Sequence, residues 1–304
     1  MKVIAIIVTY NGSKWIEKCL DSLINSTIKT DIIVVDNNSS DSTISIIESK
    51  YLSIKLIKSP RNLGFGKANN LGLKIANDNN ANYVLLLNQD ASINMDTLEK
   101  LIDIHKQYQE FGIISPVHLN GEGTALDNGF IAYASSQFGC NNFYSDLYLS
   151  NLKEIYSTKF VNAACWLISE ECLKRVGGFD PLFFHYGEDE NYTQRVLYHK
   201  FKIGICPNTF IFHDRPQTFL VEKDVQLMIR EKLIYLADVN NTRTNNRINR
   251  QISLYLFKII LLFIQLKYSQ LLENFKVVKY IIRNYKKISY SVACNKKTGL
   301  HWLT

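Results

Sequence analysis

The chain has 304 residues, of which 46% are hydrophobic and 21% are charged. This apolar content is too high for a disordered chain, and 14 Gly and 5 Pro are too few for a fibrous protein. Residues 223–304 carry 15 Lys and Arg against 4 Asp and Glu. This basic C-terminal block indicates an anionic partner, either a lipid surface or a nucleic acid.

The six cysteines include no C-x-x-C pair, which is typical of reduced thiols in the cytosol. The apolar run at residues 3–8 is too short for the hydrophobic region of a signal peptide, and it predicts a first strand instead. We therefore expect a cytoplasmic protein.

Short apolar runs alternate with segments of helical period through the first 115 residues. The first helical segment repeats apolar residues at i, i+3, i+4 and i+7, as Ile16, Cys19, Leu20 and Leu23. This β-α-β-α order predicts an α/β fold with a mostly parallel sheet, helices on both faces and ligand sites at the carboxyl ends of the strands. The predicted strands are residues 3–8, 32–35, 54–57, 83–87 and 113–114.

The pattern changes after residue 115. Residues 120–160 have no sustained period and are rich in Asn, Ser, Gly and aromatic residues, so we expect a long irregular region on the substrate side. Regular elements are predicted again beyond it. They are a strand within 161–168, helices at 169–176 and about 188–198, and a strand within 203–212.

The polar, Asn-rich stretch 238–250 predicts a linker between residues 1–237 and a C-terminal helical extension of residues 238–304. Residues 252–266 are almost wholly apolar, but a run of about 15 residues is short of the ~20 needed to span a bilayer. Apolar residues then recur at spacings of 4 and 3, with lysines and an arginine on another face, which predicts a basic amphipathic helix.

No motif supports nucleic-acid binding by this extension, whereas apolar and cationic faces on one helix suit an anionic membrane surface. We therefore expect a peripheral anchor at the cytoplasmic side of the inner membrane. Two alternatives remain open, in which the helices pack on the body of the protein or form a homodimer with a second copy.

Polar side chains follow the first two predicted strands. Thr9, Tyr10 and Asn11 follow the first strand, and Asp36 and Asn38 follow the second. Adjacent strand ends in a parallel sheet share one crevice, where an aromatic ring can stack on a nucleobase and a carboxylate can accept its N–H. Taken alone, the polar residues after either strand are explained equally well as caps of the helices that follow, because Asn and Asp are common capping residues.

The glycine-rich stretch 62–72 precedes a predicted helix and places Lys67 near its first turn. Backbone N–H groups, the helix dipole and one ammonium suit a diphosphate, although the stretch is neither a P-loop nor a dinucleotide fingerprint. The strand at residues 83–87 ends in Asn88, Gln89 and Asp90. Asp90 can hold a divalent cation against a diphosphate, or it can be a simple turn residue.

The densest cluster of polar and aromatic residues lies at residues 177–190 and ends in Glu188, Asp189 and Glu190. Three carboxylates at a helix start are stabilised by the helix dipole, which is a purely structural explanation. A partly desolvated carboxylate there can also accept a proton from a hydroxyl. His213, after the last predicted strand, is equally consistent with a metal ligand and with a structural histidine.

Five ordered motifs resemble family 2 inverting glycosyltransferases, and within them the rhamnosyltransferase-like branch. The resemblance spans about residues 3–215 and leaves out the C-terminal third. The motifs are V-T-Y-N at 8–11, V-V-D-N-N-S-S-D at 34–41, N-L-G-F-G-K-A-N-N-L-G at 62–72, L-L-L-N-Q-D at 85–90 and G-G-F-D-P-L-F-F-H-Y-G-E-D-E at 177–190.

This resemblance implies a GT-A-type fold, with a nucleotide-sugar half at about residues 1–115 and an acceptor half at about 116–237. It implies a nucleoside-diphosphate sugar donor, a Mg²⁺ or Mn²⁺ ion, and a glycan or lipid-linked acceptor in bacterial surface polysaccharide assembly. Asp36 would bind the pyrimidine N–H, and Asp189 would be the general base. The other implied residues are Thr9, Tyr10, Asn11, Asn38, Lys67, Asn88 and Glu188 for substrate, and Asp90 and His213 for metal.

One departure from the family pattern is that Asn88 stands where the D-x-D motif has its first carboxylate. Metal binding therefore depends on fewer charges. A sugar nucleotidyltransferase is a competing interpretation, but it should have a Gly-rich loop with Arg or Lys after the first strand, and residues 9–13 are not of that kind. A nucleotide-sugar-binding subunit without catalysis is the remaining alternative.

Overall fold

The computed structural model describes residues 1–215, 225–241 and 244–303. The chain divides into two compact units, of which the first joins Met1–Thr218 to Thr298–Thr304 and the second is Phe219–Lys297. This division has its boundary after residue 218 and groups residues 298–304 with the first unit, whereas the sequence predicts a boundary after residue 237.

Within the described residues, the first unit contains one mixed sheet of nine strands. The strands are β1 (Val3–Thr9), β2 (Asp31–Asp36), β3 (Lys55–Lys58), β4 (Tyr83–Leu87), β5 (Ala91–Ile93), β6 (Phe111–Asn120), β7 (Tyr156–Thr158), β8 (Cys165–Ser169) and β9 (Lys202–His213). Their order is β3-β2-β1-β4-β8-β6-β9-β5, with β7 paired to β9.

The amino-terminal half of the sheet is parallel, as the β-α-β-α order predicts. β1 pairs in parallel with β2 and β4, and β2 pairs in parallel with β3. β8 then runs antiparallel between β4 and β6, while β6 and β9 are parallel to each other. The predicted α/β architecture is therefore confirmed, with antiparallel strands added in the second half.

Both faces of this sheet are covered by helices, so the central strands are apolar on both sides. Alternate residues of β1 enter different cores: Ala5 and Ile7 pack in one core, and Ile4 and Ile6 in the other. The helices are α1 (Ile16–Ile24), α2 (Thr43–Lys50), α3 (Phe65–Asp78), α4 (Thr97–Gln107), α5 (Asn128–Tyr133), α6 (Phe143–Tyr148), α7 (Glu170–Val176) and α8 (Glu188–Tyr198).

The expectation of an irregular region at 120–160 is wrong in part. The segment contains the short helices α5 and α6 and strand β7, which pack around Phe130, Phe143 and Tyr156. The rings of Phe130 and Phe143 meet edge to face at 6.0 Å, and those of Phe143 and Tyr156 at 5.2 Å. Helices of six residues are too short to produce a repeating apolar pattern, so periodicity could not detect them.

The second unit consists of helices, which are α9 (Val225–Ala237), α10 (Thr244–Ile264), α11 (Tyr268–Arg283) and α12 (Tyr285–Asn295). Residues 244–250 of the predicted linker belong to α10, and residues 242–243 lie outside the described residues. Arg247 is buried and donates hydrogen bonds to the carbonyl oxygens of Leu236 and Asp238, which ties the start of α10 to the end of α9.

Across the described part of the chain, every helix falls short of the length or the apolarity that crossing a bilayer requires.

Residues 298–303, near the carboxyl terminus, pack on the loop that follows α7. The Gly178 N–H donates to the His301 carbonyl oxygen at 2.8 Å, and the Gly299 N–H donates to the Arg175 carbonyl oxygen at 3.1 Å. Leu303 is 6% exposed and lies in the same core as Phe179. The segment thus supports the glycine-rich turn that leads toward α8.

We expect Leu303→Ala to lower the free energy of unfolding of the first unit by about 2 to 4 kcal/mol, because it leaves a cavity beside Phe179. Urea denaturation followed by tryptophan fluorescence measures this loss. Leu300→Ala is the matched control, since Leu300 is 38% exposed and should change stability by less than about 0.5 kcal/mol. Equal effects of the two substitutions would contradict the packing of the tail.

Candidate active site

The ends of β1 and β2 form one side of the candidate site. The parallel register pairs Thr9 with Asp36, and the Asn37 N–H donates to the Thr9 carbonyl oxygen at 2.7 Å. Asp36 is 1% exposed, and its Oδ2 accepts the N–H groups of Asn38 at 3.1 Å and Ser39 at 3.0 Å. The Asp36 Oδ1 is buried and has no hydrogen-bond partner among the described residues. Since a buried acceptor without a partner is costly, this oxygen is suited to accept an N–H from a ligand.

Gln89 joins the end of β1 to the end of β4. Its Oε1 accepts the Thr9 hydroxyl at 2.6 Å and the Tyr10 N–H at 2.9 Å, and its Nε2 donates to the Tyr10 carbonyl oxygen at 3.2 Å. A Cβ on Gly12 would lie 2.7 Å from the Thr9 Oγ1 and would overlap the Gln89 Oε1, so a larger residue there would displace these side chains. The Tyr10 side chain stays 47% exposed, so it is accessible to a planar ligand. The sequence analysis gave Gln89 no role.

Two of the three Asn residues predicted for substrate, Asn11 and Asn38, contact mainly the strand-end loops. The Asn11 Oδ1 accepts the Ser40 N–H at 2.8 Å, and the Asn11 N–H donates to the Ser39 Oγ at 2.9 Å. Asn38 is exposed, and its N–H holds Asp36. Both residues adopt positive φ, at 48° and 72°, which Asn tolerates better than most residues. They therefore shape the strand-end loops around Asp36.

The start of α3 is tied to the end of β2. The Asn37 Nδ2 donates to the Asn62 Oδ1 at 2.9 Å, and that oxygen also accepts the Gly64 N–H at 2.9 Å. Gly64 has φ of +81°, and any side chain there would overlap the Phe184 carbonyl oxygen. Lys67 is exposed in the first turn of α3. The close approach at Gly64 brings the loop before α8 against this turn.

The predicted metal ligands are neighbours across the β5–β9 pairing. Ala91 pairs with His213, and the His213 Nε2 lies 3.5 Å from the Asp90 Oδ1. The side chain of His213 is 2% exposed and that of Asp90 is 23% exposed. The Asn88 Oδ1 is buried and has no hydrogen-bond partner in the described structure. Asp90 and His213 thus stand together at the carboxyl end of the sheet.

Among the described residues, no group of three or more His, Cys, Asp or Glu side chains is arranged to hold a metal ion. A carboxylate oxygen beside an imidazole nitrogen nevertheless fits a divalent cation that takes its remaining ligands from a diphosphate and water. The pair therefore fits a partial site that a nucleotide would complete.

Asp127 connects this pair to a second group of polar side chains, and the sequence analysis did not identify it. Its Oδ2 lies 3.6 Å from the His213 Nδ1. The Arg215 Nε donates to Asp127 Oδ2 at 2.8 Å, and the Arg215 Nη2 donates to Oδ1 at 2.6 Å. Burial opposes ionisation of Asp127, but these hydrogen bonds and the charge of Arg215 hold the pKa of the carboxyl well below its usual range. Asp127 is therefore a buried anion.

Tyr133 carries the connection from Arg215 toward Asp189. Its hydroxyl is hydrogen-bonded to Arg215, and burial together with the nearby Asp189 charge raises the pKa of Tyr133 to about 12. Asp189 is half-buried in the first turn of α8, where its Oδ1 accepts the Glu190 N–H at 2.8 Å. Glu188, one residue earlier, is buried at 4% exposure. The helix dipole favours a negative charge at this helix start.

Polar contacts follow the carboxyl ends of β2, β1, β4 and β9. Asn37 contacts Thr9, and Thr9 contacts Gln89, while Asp90, His213, Asp127 and Arg215 form a second series that extends to Tyr133. Asp36 and Asp90 are the chain neighbours of Asn37 and Gln89, and the charge of Asp189 acts on Tyr133, so all three carboxylates belong to one polar region. Single-sequence patterns contain no signal for Asp127, Arg215 or Tyr133, because their contacts are long-range.

A cavity of about 510 Å³ lies elsewhere, at the opposite edge of the sheet. Its lining includes Ile4, Asp31, Ile32 and Lys55 and none of the predicted site residues. These residues stand at the amino ends of their strands, whereas open α/β sheets bind ligands at the carboxyl ends. We therefore assign the candidate site to the carboxyl edge.

The sequence matches the family described as Glycosyl transferase family 2 over residues 4–177, and the chain belongs to that family. A curated relative is the N-acetylglucosaminyl-diphospho-decaprenol L-rhamnosyltransferase of Mycobacterium tuberculosis. It is 22% identical over 253 residues, which cover 76% of this chain and 82% of the relative. The rhamnosyltransferase-like resemblance is therefore confirmed at the level of sequence similarity.

Solved structures show the same fold. TarS of S. aureus matches with a TM-score of 0.58 at 18% identity, over 79% of this chain and 40% of that one. The mannosyltransferase PcManGT of Pyrobaculum calidifontis, solved with GDP-Man and Mn²⁺, matches with a TM-score of 0.57 at 18% identity, over 80% of this chain and 64% of that one. The GT-A-type fold is therefore confirmed, although the chain spans less than two thirds of either protein.

The buried His118, on β6, is expected to make the stability of the fold depend on pH. Its Nε2 is 2.9 Å from the Ser115 Oγ, and burial, together with the nearby His213, lowers the pKa of His118 to about 3. The unfolded chain titrates this histidine near pH ~6.5, so it binds more protons than the folded state between the two values. Stability is thus expected to fall as the pH drops from about 6.5 toward 3, by roughly 1 kcal/mol per pH unit from this residue.

His118→Phe replaces the imidazole with a ring beside Phe130 and removes this titration. We expect the variant to lose less stability than the wild type between about pH 6 and pH 4, as urea denaturation measures. Titrating groups that do not act on His118 affect both proteins alike and cancel in the difference, whereas the effects of His213, Asp127 and Arg215 on His118 are part of what the difference measures. Parallel pH curves would show that His118 is not held neutral.

Proposed function

We propose that this protein is an inverting glycosyltransferase that moves a sugar from a nucleoside-diphosphate sugar to a hydroxyl group of an acceptor. Family membership and the fold support transfer from a nucleotide sugar. The observation that carries the proposal is the series of contacts from the Asp90–His213 pair through Asp127 and Arg215 to Tyr133, on which the charge of Asp189 acts. A donor site and a proton acceptor in one polar region suit a direct displacement.

The donor nucleotide is proposed to bind at the ends of β1 and β2. The buried Asp36 Oδ1 is suited to accept the N–H of a pyrimidine base, and the exposed Tyr10 ring can stack on that base. Thr9, Asn11 and Asn38 shape this pocket through the contacts described above. The exposed Lys67 supplies a positive charge for the diphosphate at the start of α3.

Asp90 and His213 are proposed to hold Mg²⁺ or Mn²⁺, with the amide of Asn88 beside them in place of a carboxylate. When bound, the cation would neutralise negative charge that grows on the departing diphosphate. With one protein carboxylate in the pair, affinity for the cation alone should be weak, and the nucleotide should strengthen it.

Asp189 is proposed as the general base. Its carboxylate takes the proton of the acceptor hydroxyl while the hydroxyl oxygen bonds to the anomeric carbon. The bond from that carbon to the diphosphate oxygen breaks on the opposite face, and the electron pair leaves with the nucleoside diphosphate. One displacement of this kind inverts the anomeric centre. Glu188 is proposed to contact the substrate from the same helix turn.

The donor sugar is proposed to be L-rhamnose and the acceptor a lipid-linked glycan of bacterial surface polysaccharide assembly. The similarity to an enzyme whose name states L-rhamnosyl transfer to a decaprenol-linked sugar supports both choices. Family membership disfavours the sugar nucleotidyltransferase alternative, whereas a catalytically inactive nucleotide-sugar-binding subunit remains to be separated by experiment.

Asp189→Asn is expected to lower the transfer rate by at least about 100-fold, because the amide cannot accept the hydroxyl proton. The donor is first identified by thermal shift with dTDP-, UDP- and GDP-sugars in the presence of Mn²⁺, and kcat is then measured by release of the nucleoside diphosphate. Donor affinity should change by less than about threefold, since Asp189 is proposed to act on the acceptor.

Glu190→Gln is the matched control, since it removes a neighbouring carboxylate from the same helix turn and should keep the transfer rate. Turnover of Asp189→Asn within a few-fold of wild type would refute the assignment of the base. A wild type that binds a donor but neither transfers nor hydrolyses it would favour the inactive subunit.

The second unit is proposed to dock on the cytoplasmic face of the membrane through an exposed apolar stripe on α10. Phe257, Ile260, Leu261 and Ile264 recur at helical spacing and are 61%, 57%, 41% and 70% exposed. A contiguous apolar surface of this kind marks an interaction site. The lysines and arginines of the unit provide the charge complementarity for anionic headgroups. A second copy of the chain is the competing occupant.

Phe257→Ser combined with Ile264→Ser is expected to abolish flotation with vesicles of anionic phosphatidylglycerol, because it removes much of the stripe. Leu52→Ser in the first unit is the control, since Leu52 is 87% exposed and lies outside the stripe. Truncation is unsuitable because residues 298–304 belong to the first unit. Unchanged flotation, or loss of a dimer in light scattering without any vesicle binding, would contradict membrane docking.

A further inference from the structure

We infer that Asp127 is a positioning residue for the transfer reaction, one that orients His213 toward the cation. This inference rests on the proposed function, because it assigns Asp127 to the proposed cation site. Asp127 is the N-cap residue of α5. It lies in the segment 120–160, where the sequence analysis identified no candidate site residue.

Asp127 is held rigidly by groups on three parts of the first unit. Its side chain is fully buried, and its Oδ1 accepts the Phe130 N–H at 3.0 Å, which caps α5. Arg215 binds both carboxylate oxygens, in a bidentate arrangement that fixes the plane of the carboxylate. The Asp127 N–H donates to the His118 carbonyl oxygen at 2.9 Å, which ties the residue to β6. The carboxylate therefore has little freedom to rotate.

The fixed carboxylate faces one nitrogen of His213 while Asp90 faces the other. The His213 Nδ1 is 3.6 Å from Asp127 Oδ2, and the Nε2 is 3.5 Å from Asp90 Oδ1. The Nδ1 is buried and has no hydrogen-bond partner within the described residues. The two carboxylates lie at nearly equal distances, so by themselves they favour neither tautomer. Once a cation takes the Nε2 lone pair, the Nδ1 proton would face Asp127, whose carboxylate is placed to accept it. Closing the Nδ1 contact to hydrogen-bond length would then lock the ring in its ligating orientation.

The competing explanation for Asp127 is purely structural, because the same side chain caps α5 and pairs with Arg215. Both explanations predict that its loss destabilises the fold, since removal of one partner from a buried ion pair leaves an uncompensated charge. They differ in what happens to cation binding. The structural explanation predicts no change in a folded variant, whereas a positioning role predicts a specific loss.

Asp127→Asn is the variant of choice, because the amide oxygen can still cap α5 while the negative charge is removed. The probe is Mn²⁺, whose free concentration is read from its electron paramagnetic resonance signal, with whichever of dTDP, UDP or GDP the wild type binds best. We expect Mn²⁺ affinity in the presence of nucleotide to fall by about 10- to 100-fold. Nucleotide affinity without Mn²⁺ should stay within about threefold of the wild type, because Asp127 lies outside the pocket proposed for the nucleobase at Asp36 and Tyr10.

Two further variants separate positioning from stability. Arg215→Gln removes the ion pair but leaves the carboxylate near His213, where the Phe130 N–H still holds it, so Mn²⁺ affinity should fall clearly less than in Asp127→Asn. The double variant Asp127→Asn/Arg215→Gln leaves no unpaired buried charge and should recover stability, yet it should bind Mn²⁺ as weakly as Asp127→Asn. Asp146→Asn is the matched control in the same segment, where Asp146 accepts the Tyr156 hydroxyl at 2.8 Å.

The inference is overturned if Asp127→Asn binds Mn²⁺ as tightly as the wild type. It is also overturned if Mn²⁺ affinity falls in proportion to the loss of stability across all the variants. Both results presuppose a wild type that binds Mn²⁺ with nucleotide. If the wild type binds nucleotide and transfers sugar without any response to Mn²⁺, the cation site of the proposed function fails and this inference fails with it. If only the variant result fails, the proposed function stands.

Discussion

The parallel register of β2, β1 and β4 is the constraint on which the candidate site depends. It aligns Thr9 with Asp36, and it brings the residues after β4 to the same edge, where Gln89 bonds to Thr9 and Tyr10. A shift of one residue would turn each side chain to the other face of the sheet. Because the strands are buried on both faces, such a shift would also disrupt two hydrophobic cores. The packing of the sheet therefore fixes the positions of the polar strand ends.

The other half of the site depends on backbone approaches that only glycine allows. Gly64 lies against the Phe184 backbone, and a Cβ on Gly66 would lie 2.9 Å from the Phe179 Cβ. Asn70 strengthens this contact, since its side chain accepts the Phe179 N–H at 2.7 Å and donates to the Phe179 carbonyl oxygen at 2.8 Å. The start of α3 is thereby fixed to the segment that leads to Asp189. The residues proposed for the donor and for the acceptor are thus linked through these contacts.

The polar centre between these halves combines neutral and charged groups in a buried setting. Arg215 compensates the Asp127 anion, while His118 is kept neutral by burial. Low local polarity strengthens each of these interactions and raises the cost of leaving any one unpaired. Such a network fixes side-chain positions more closely than apolar packing would, which suits the proposed binding of a cation and positioning of a proton acceptor.

Local patterns in the sequence determined the strands of the parallel half, the helices α1, α4, α7 and α8, and the motif residues Asp36, Asp90, Asp189 and His213. These features can be predicted because the spacing of apolar residues and the polar residues that follow a strand are local patterns of a few residues. Only the tertiary structure determined the antiparallel direction of β8 and the short helices of residues 120–160. It also grouped residues 298–304 with the first unit. It alone also revealed Gln89, Asp127 and Arg215, because their partners lie 80 and 88 positions away and no local pattern encodes such pairings.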